Sequence, residues 1–258
     1  MTAASPSGFR ARLQNRDAPM LGTFVKTPGP QPVEILGGLG YDFVIIDAEH
    51  APFDRGRTEI ALLAARACGV AAVVRVPSAQ PDVLLGVLDD GADAVLVPHI
   101  LSAAHARDVV AACRYAGARG FSNGCRAGGY GARGQWSHTD AADGAVAVIG
   151  MIEDPQAVES IDAILAVEGL DGIFIGRADL SVAFDDRAAG APQVREATLR
   201  ILAAARVAAK PVSLLVASAE EAREFSALGV SAFVIASDQG FLRSAAQDAL
   251  GRLRAALA

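Results

Sequence analysis

In Gly169-Leu170-Asp171-Gly172-Ile173-Phe174-Ile175 a glycine, an apolar residue and an acid lead into a short apolar run. The order returns in Gly40-Tyr41-Asp42 before Phe43-Val44-Ile45-Ile46 and in Gly91-Ala92-Asp93 before Ala94-Val95-Leu96-Val97. It returns again in Gly229-Val230-Ser231 before Ala232-Phe233-Val234-Ile235. Gly69-Val70 before Ala72-Val73-Val74 is a fifth copy without the polar residue. Glycine is favoured just past a helix end because it reaches positive φ without strain. The runs that follow read as strands buried on both faces, as in a parallel sheet.

Three further runs, at residues 20–25, 146–152 and 212–216, bring the number of strands to eight. Helix-period segments lie between them, at residues 57–67, 81–89, 103–115 and 193–208. Ser102 and Ser218 are candidate N-caps, the second with Glu221 three residues on, as in a capping box. Strand–helix alternation means a parallel sheet with helices outside. Eight repeats in 258 residues favour one closed α/β domain, a (β/α)₈ TIM barrel over residues 1–258. Residues 116–143 break the alternation: this Gly- and Arg-rich segment has no periodicity and reads as a functional loop or lid.

Composition narrows the function. A hydrophobic fraction of 52% supports a large core, and no stretch approaches the roughly 18 apolar residues of a membrane span. Residues 1–16 contain no apolar signal-like core. The net charge of −6, without a basic cluster interleaved with aromatics, argues against a nucleic-acid partner. Three cysteines without ligand spacing fit free thiols in a cytoplasmic protein.

Active sites of such barrels lie at the C-terminal ends of the strands. The second strand delivers Asp47-Ala48-Glu49-His50, the third Arg75 and the fourth Pro98-His99. The fifth delivers Glu153-Asp154 and the sixth Gly176-Arg177-Ala178-Asp179. Glu153 and Asp179 are hard oxygen donors suited to Mg²⁺ or Mn²⁺, with Co²⁺ a further option, although acids at these positions also suit helix starts. Arg75 offers a fork for a carboxylate or enolate oxygen, or a structural ion pair with Asp47 or Glu49. His50 is a candidate general base oriented by Asp47. The Gly176–Asp179 turn offers backbone N–H groups to a carboxylate. Phe24 is a candidate apolar wall, and His99, His138 and Trp136 are candidate pocket residues.

These segments resemble the HpcH/HpaI family of class II pyruvate aldolases, the 2,4-dihydroxyhept-2-ene-1,7-dioate and 2-dehydro-3-deoxyglucarate aldolase group. The resemblance runs through residues 43–52, Val74-Arg75-Val76-Pro77, Val95-Leu96-Val97-Pro98, Arg119-Gly120, Ile152-Glu153 and residues 172–181. It implies that Glu153 and Asp179 bind a divalent ion chelated by pyruvate, and that Arg75 steadies the enolate oxygen. It also implies that His50 with Asp47 helps proton transfer, that amides near Ala178 and Asp179 take the pyruvate carboxylate, and that Phe24 lines the aldehyde side. The family implies a hexamer, a trimer of dimers, with exchange of the C-terminal helix. Arg177 stands where relatives usually have proline and Met151 where they often have glutamine; with His99, these leave the acceptor aldehyde open.

The reaction implied is reversible cleavage of a 4-hydroxy-2-oxo acid to pyruvate and an aldehyde, with His50 or a metal-bound water as base. The small-molecule partners are thus an oxo acid and an aldehyde, with no nucleic acid and no membrane. A metal-dependent lyase of the citryl-CoA or phosphoenolpyruvate type is the alternative, although no basic CoA- or phosphate-binding motif occurs. A non-catalytic oxo-acid-binding barrel is a third reading. A Schiff-base aldolase needs a lysine in the pocket. Lysine occurs only at 26 and 210, and Lys210 precedes a strand, at the wrong end of a barrel. Lys26, just after the first strand, is then the only candidate; on the metal reading, borohydride with pyruvate is expected to leave the chain unmodified by mass spectrometry, and EDTA to abolish pyruvate release.

Overall fold

The structure, a computed structural model, describes residues 8–15 and 18–257. From the N-terminus it runs α1 (Phe9–Gln14), β1 (Met20–Val25), α2 (Pro30–Gly38), β2 (Phe43–Asp47), α3 (Arg55–Cys68) and β3 (Ala71–Arg75). It continues through α4 (Pro81–Asp89), β4 (Ala94–Val97), α5 (Ala103–Cys113), α6 (Gln135–Ala145) and β5 (Ala147–Ile152). Then come α7 (Pro155–Glu159), α8 (Ile161–Leu165), β6 (Gly172–Ile175), α9 (Arg177–Ala183) and α10 (Pro192–Val207). The last elements are β7 (Val212–Val216), α11 (Ala219–Ala227), β8 (Ala232–Ser237) and α12 (Asp238–Leu257). Neighbouring strands pair in parallel and β8 returns to β1, so the expected (β/α)₈ barrel closes.

The sheet separates two apolar layers. Alternate residues point inward, and Met20, Phe24, Phe43, Ile45, Val73, Leu96, Ile149, Met151, Phe174 and Val234 fill the barrel. Gly22 makes room for this packing, since a Cβ there would lie 2.4 Å from the Phe43 ring. Phe9 and Leu13 of α1 close the end where the strands begin. The opposite parity, including Val44, Ile46, Val74, Val95, Val148 and Ile175, packs against the helices.

All five glycines of the recurring pattern have positive φ, from 77° at Gly69 to 98° at Gly229. The acid after them has a function the repeat alone did not reveal. Asp42 accepts from the N–H of Leu21 on β1, at 2.8 Å, and its own N–H donates to the Leu21 carbonyl at 2.9 Å. Asp93 makes the same two bonds to Ala72 of β3, and Asp171 to Val148 of β5. Ser231 keeps the backbone half, donating to Val212 of β7 at 3.1 Å. Each even-numbered strand is thus stapled at its entrance to the odd strand before it. Gly69-Val70 precedes an odd strand, which fits its lack of the acid.

The N-caps at Ser102 and Ser218 form, accepting from His105 and Glu221 N–H groups. The anomalous segment differs from expectation. Residues 135–145 are α6, so the irregular part is shorter than 116–143. It also lies at the strand-entry end: Arg119 pairs with Asp89 at 2.8 Å, and Ala127 N–H donates to the Asp89 carbonyl where α4 ends. It is not a lid over the strands' C-terminal ends. Part of the 1–16 stretch lies outside the described residues. Among those described, no helix is long and apolar enough to cross a membrane.

Asp171 is the buried member of the staple set. Its oxygens also take Arg10 Nε at 2.6 Å and Arg114 Nη2 at 2.7 Å. Asp171→Ala strands Arg114 in a buried site and should cost about 3 kcal/mol, lowering Tm by roughly 10 °C. Asp42→Ala, at a solvated staple, should cost about 1 kcal/mol or less. Thermal melts of the two variants measure the difference.

Candidate active site

Inward parity carries past the ends of the strands. On β2, Asp47 continues the inward Phe43 and Ile45, and on β3 Arg75 continues Ala71 and Val73. The register makes Asp47 and Arg75 direct neighbours. Their side chains close a bidentate pair, Nε to Oδ1 at 2.9 Å and Nη2 to Oδ2 at 2.7 Å. Arg75 Nη1 lies 3.4 Å from Glu49 Oε2, and the guanidinium sits 4.9 Å from the centroid of the Phe24 ring. The structural ion pair and the cavity-facing fork are therefore one arrangement, because Arg75 also lines the mouth. Burial opposes ionisation of Asp47, but hydrogen bonds from Arg75 and the His50 N–H, with the charges of Arg75 and Lys26, hold its carboxyl below the ordinary range.

His50 is not oriented by the Asp47 carboxylate as expected. Asp47 Oδ1 accepts the main-chain N–H of His50 at 3.1 Å, and the imidazole Nε2 lies instead 3.6 Å from Glu49 Oε2. Both Asp47 oxygens are taken by Arg75, and the turn that Asp47 closes carries the ring out to the rim. Glu49, passed over as a site residue, thereby touches both Arg75 and His50. The Asp-x-Glu-His spacing was the signal for it.

Across the mouth, Glu153 continues the inward Ile149 and Met151 of β5 and is 3% exposed. Its Oε1 accepts the His99 N–H at 2.9 Å. His99 is held at φ 54°, a strained conformation for a non-glycine residue, and its Nδ1 lies 3.0 Å from Asp154 Oδ2. The hydrogen bond to Asp154 raises the His99 pKa, with the charges of Glu153, Asp154 and Glu49 adding to it against burial. Gly176, the N-cap of α9, lies against Glu153: a Cβ there would come within 2.5 Å of Glu153 Cβ and 2.7 Å of Oε2. Asp179, exposed in the first turn of α9, is near enough for its charge to act on Glu153. Burial above all, with Asp179 and Glu49, pushes the Glu153 carboxyl up to about 7 against the opposing His99 contacts.

These donors suit a hard divalent cation in two ways. Asp179 is near enough for its charge to act on Glu153, while His99, Glu153 and Asp154 have ligand atoms within 4.8 Å of one another. Glu153 belongs to both sets. Asp154, next to Glu153 at the strand end, is a ligand candidate that the sequence pattern alone does not single out.

A cavity of about 840 Å³ spreads from this mouth, lined by Phe24, Lys26, His50, Arg75, Gly176 and Asp179, and extends towards α10 and α11. Arg177 pairs with Glu221 at 2.6 Å, donates to the Leu215 carbonyl at 2.5 Å and stacks on Phe225. It ties the start of α9 to α11 and β7. Trp136 and His138 do not reach the cavity: Trp136 is 73% exposed on α6, and His138 is buried with Nε2 3.0 Å from the Tyr115 hydroxyl. Lys210 donates to the Val167 and Leu170 carbonyls at the strand-entry end, as its position before β7 implied.

The profile of the HpcH/HpaI aldolase/citrate lyase family matches residues 20–245. The chain is 33% identical over 245 residues to the 5-keto-4-deoxy-D-glucarate aldolase of Shigella dysenteriae, covering 94% of each chain. It is similar in structure to an HpcH/HpaI aldolase/citrate lyase family protein from Burkholderia cenocepacia, with TM-score 0.89, 30% identity and coverage of 95% and 98%. The citrate synthase SbnG is also similar, with TM-score 0.87, 28% identity and coverage of 96% and 98%.

Without metal, folded Glu153 keeps its proton to about pH 7, whereas the unfolded chain releases it near 4.5. The folded state then binds the extra proton, so this contribution is full below pH 4.5 and lost as pH rises through 7. Melts of metal-free protein should show that decline, and Glu153→Gln should flatten it between those limits.

Proposed function

The chain belongs to the HpcH/HpaI aldolase/citrate lyase family, and from that premise we propose that it cleaves a 4-hydroxy-2-oxo acid reversibly, with a divalent metal, to pyruvate and an aldehyde. The observation that carries this reading is the convergence of buried Glu153 and Arg75 with exposed Asp179 on one mouth of the barrel. Glu153 and Asp179 would hold Mg²⁺, Mn²⁺ or Co²⁺, since both are carboxylates and Glu153 is costly to ionise without a nearby cation. When bound, such an ion supplies Lewis acidity at the oxo-acid oxygens.

The remaining steps belong to the protein's own groups. First-turn amides of α9, from Gly176 to Ala178 and Asp179, would receive the substrate carboxylate, because Gly176 brings no capping side chain to occupy them. Arg75, immobilised by its two bonds to Asp47, presents a fixed cation to the oxygen on which enolate charge develops. Phe24, in edge contact with Phe174, supplies an apolar wall. His50, at the exposed rim beside Glu49, takes the C4 hydroxyl proton. The C3–C4 bond then breaks, the aldehyde leaves, and its electron pair passes into the C2–C3 enolate. Protonation at C3 yields pyruvate. Asp47 acts through Arg75 as a positioning residue.

We extend the reading to assembly and location. α12 buries none of its residues and exposes Leu242, Leu250, Leu253 and Leu257, which supports a homo-oligomer using this helix, and the hexamer of three dimers is the form the family resemblance implies. Cys68, Cys113 and Cys125 are free, in keeping with the cytoplasm.

Glu153→Gln and Asp179→Asn should each weaken Mn²⁺ binding at least 100-fold by calorimetry and abolish pyruvate release, whereas His99→Ala should leave most of the affinity. A His99→Ala or Asp154→Asn loss as large as that of Asp179→Asn would move the ion to the His99–Glu153–Asp154 cluster.

A further inference from the structure

Lys26 lies in the mouth without a part in the reaction described above. It follows Met20, Gly22 and Phe24 on the inward parity of β1, one residue beyond the strand's end, and lines the cavity with Phe24, His50 and Arg75. Its backbone is fixed from two sides. Asp238, the first residue of α12, accepts the N–H of Lys26 at 2.8 Å and that of Thr27 at 3.0 Å. The Lys26 carbonyl takes Gln239 Nε2 at 3.4 Å.

The ammonium group is held less tightly than its backbone. Nζ lies 3.3 Å from Asp47 Oδ2, outside the 2.7–2.9 Å typical of charge-assisted bonds. Asp47 hardly needs it, since Arg75 already bonds both carboxylate oxygens and the N–H groups of His50 and Glu49 reach Oδ1. The other arginines of the cavity are more firmly engaged: Arg75 with Asp47 at 2.7 Å, Arg177 with Glu221 at 2.6 Å and Arg195 with Glu224 at 2.6 Å. Lys26 is thus the cation with the loosest protein anion and the easiest to turn towards a ligand. Its side chain is 30% exposed, open to the cavity yet partly shielded from solvent screening.

Its position gives the ligand a direction. In the closed ring β1 stands opposite β5, so Lys26 faces the Glu153 side across the axis. A substrate whose oxo-acid end rests between β5 and α9 extends its other end across the mouth towards β1 and β2. We propose that Lys26 is a specificity-determining residue that binds an anionic group, a carboxylate, on the aldehyde portion of the substrate. The enzyme then selects acidic aldehydes over neutral ones of the same length. This inference rests on the pyruvate-aldolase reading.

The test is addition of pyruvate, with Mn²⁺, to an isosteric pair: 2-hydroxy-3-oxopropanoate, which ends in a carboxylate, and glyceraldehyde, which ends in a hydroxymethyl group. For each protein the quantity read is the ratio of kcat/KM, anionic over neutral, which does not depend on the fraction folded. Lys26→Met should lower that ratio at least tenfold, mainly through the KM for the anionic aldehyde, and Lys26→Arg should restore most of it. Equal losses on both aldehydes in Lys26→Met, leaving the ratio at the wild-type value, would overturn the assignment and reduce Lys26 to support for Asp47. Failure of the wild type to turn over either aldehyde would overturn the aldolase reading itself, and the assignment with it.

Discussion

In a closed barrel every second residue of each strand must face the axis, and the site of this protein depends on that constraint. Along the strands it requires apolar side chains that fill a narrow interior, down to the Gly22 gap that admits the Phe43 ring. Where the strands end the interior opens to water, and the same parity turns from Ile45 to Asp47, from Val73 to Arg75, from Met151 to Glu153 and from Phe24 to Lys26. Charged groups then converge with the strands in regular pairing except for a register shift between β1 and β8 at Gly22 to Phe24. The Asp–backbone staples at the opposite end hold the strands in register.

The charges divide into two arcs. On β1 to β3, Lys26 and Arg75 meet Asp47 and Glu49, and Arg75 is held by its bidentate pair with Asp47. On β4 to β6 and the start of α9, Glu153, Asp154 and Asp179 have the imidazole of His99 among them, while Arg177 is engaged by Glu221. Burial of a carboxylate in that company is unfavourable, which is why Glu153 holds a proton to about pH 7. In the proposed reading a divalent cation would relieve the excess on the second arc, while the first would offer positive charge to the developing enolate.

Most of the scaffold was legible because its signals are local. Positive-φ glycines, serine caps and runs such as Ala94–Val97 are set by neighbours a few residues away, and the strands fell within a residue or two of expectation. Asp47, Arg75 and Glu153 were legible for the same reason, as the next inward positions on their strands. Less legible were contacts that depend on other parts of the chain. His50 turned to Glu49 because Arg75, 28 residues from Asp47, had taken both carboxylate oxygens. His138 and Trp136 left the pocket because α6 packs away from the mouth, and the Gly- and Arg-rich segment sat at the strand entrances because Arg119 found Asp89.

The sequence by itself determined an eightfold strand–helix repeat, its glycine turns and the charged residues ending the strands, since periodicity, caps and parity are properties of short stretches. Only the tertiary structure decided which of those charges meet. Closure of the ring set β1 against β5, tied α9 to α11 through Arg177 and Glu221, and left Lys26 more loosely paired than the arginines around the cavity. Distances between side chains on different strands follow from barrel geometry and competition for shared carboxylate oxygens, and no local stretch of sequence contains either.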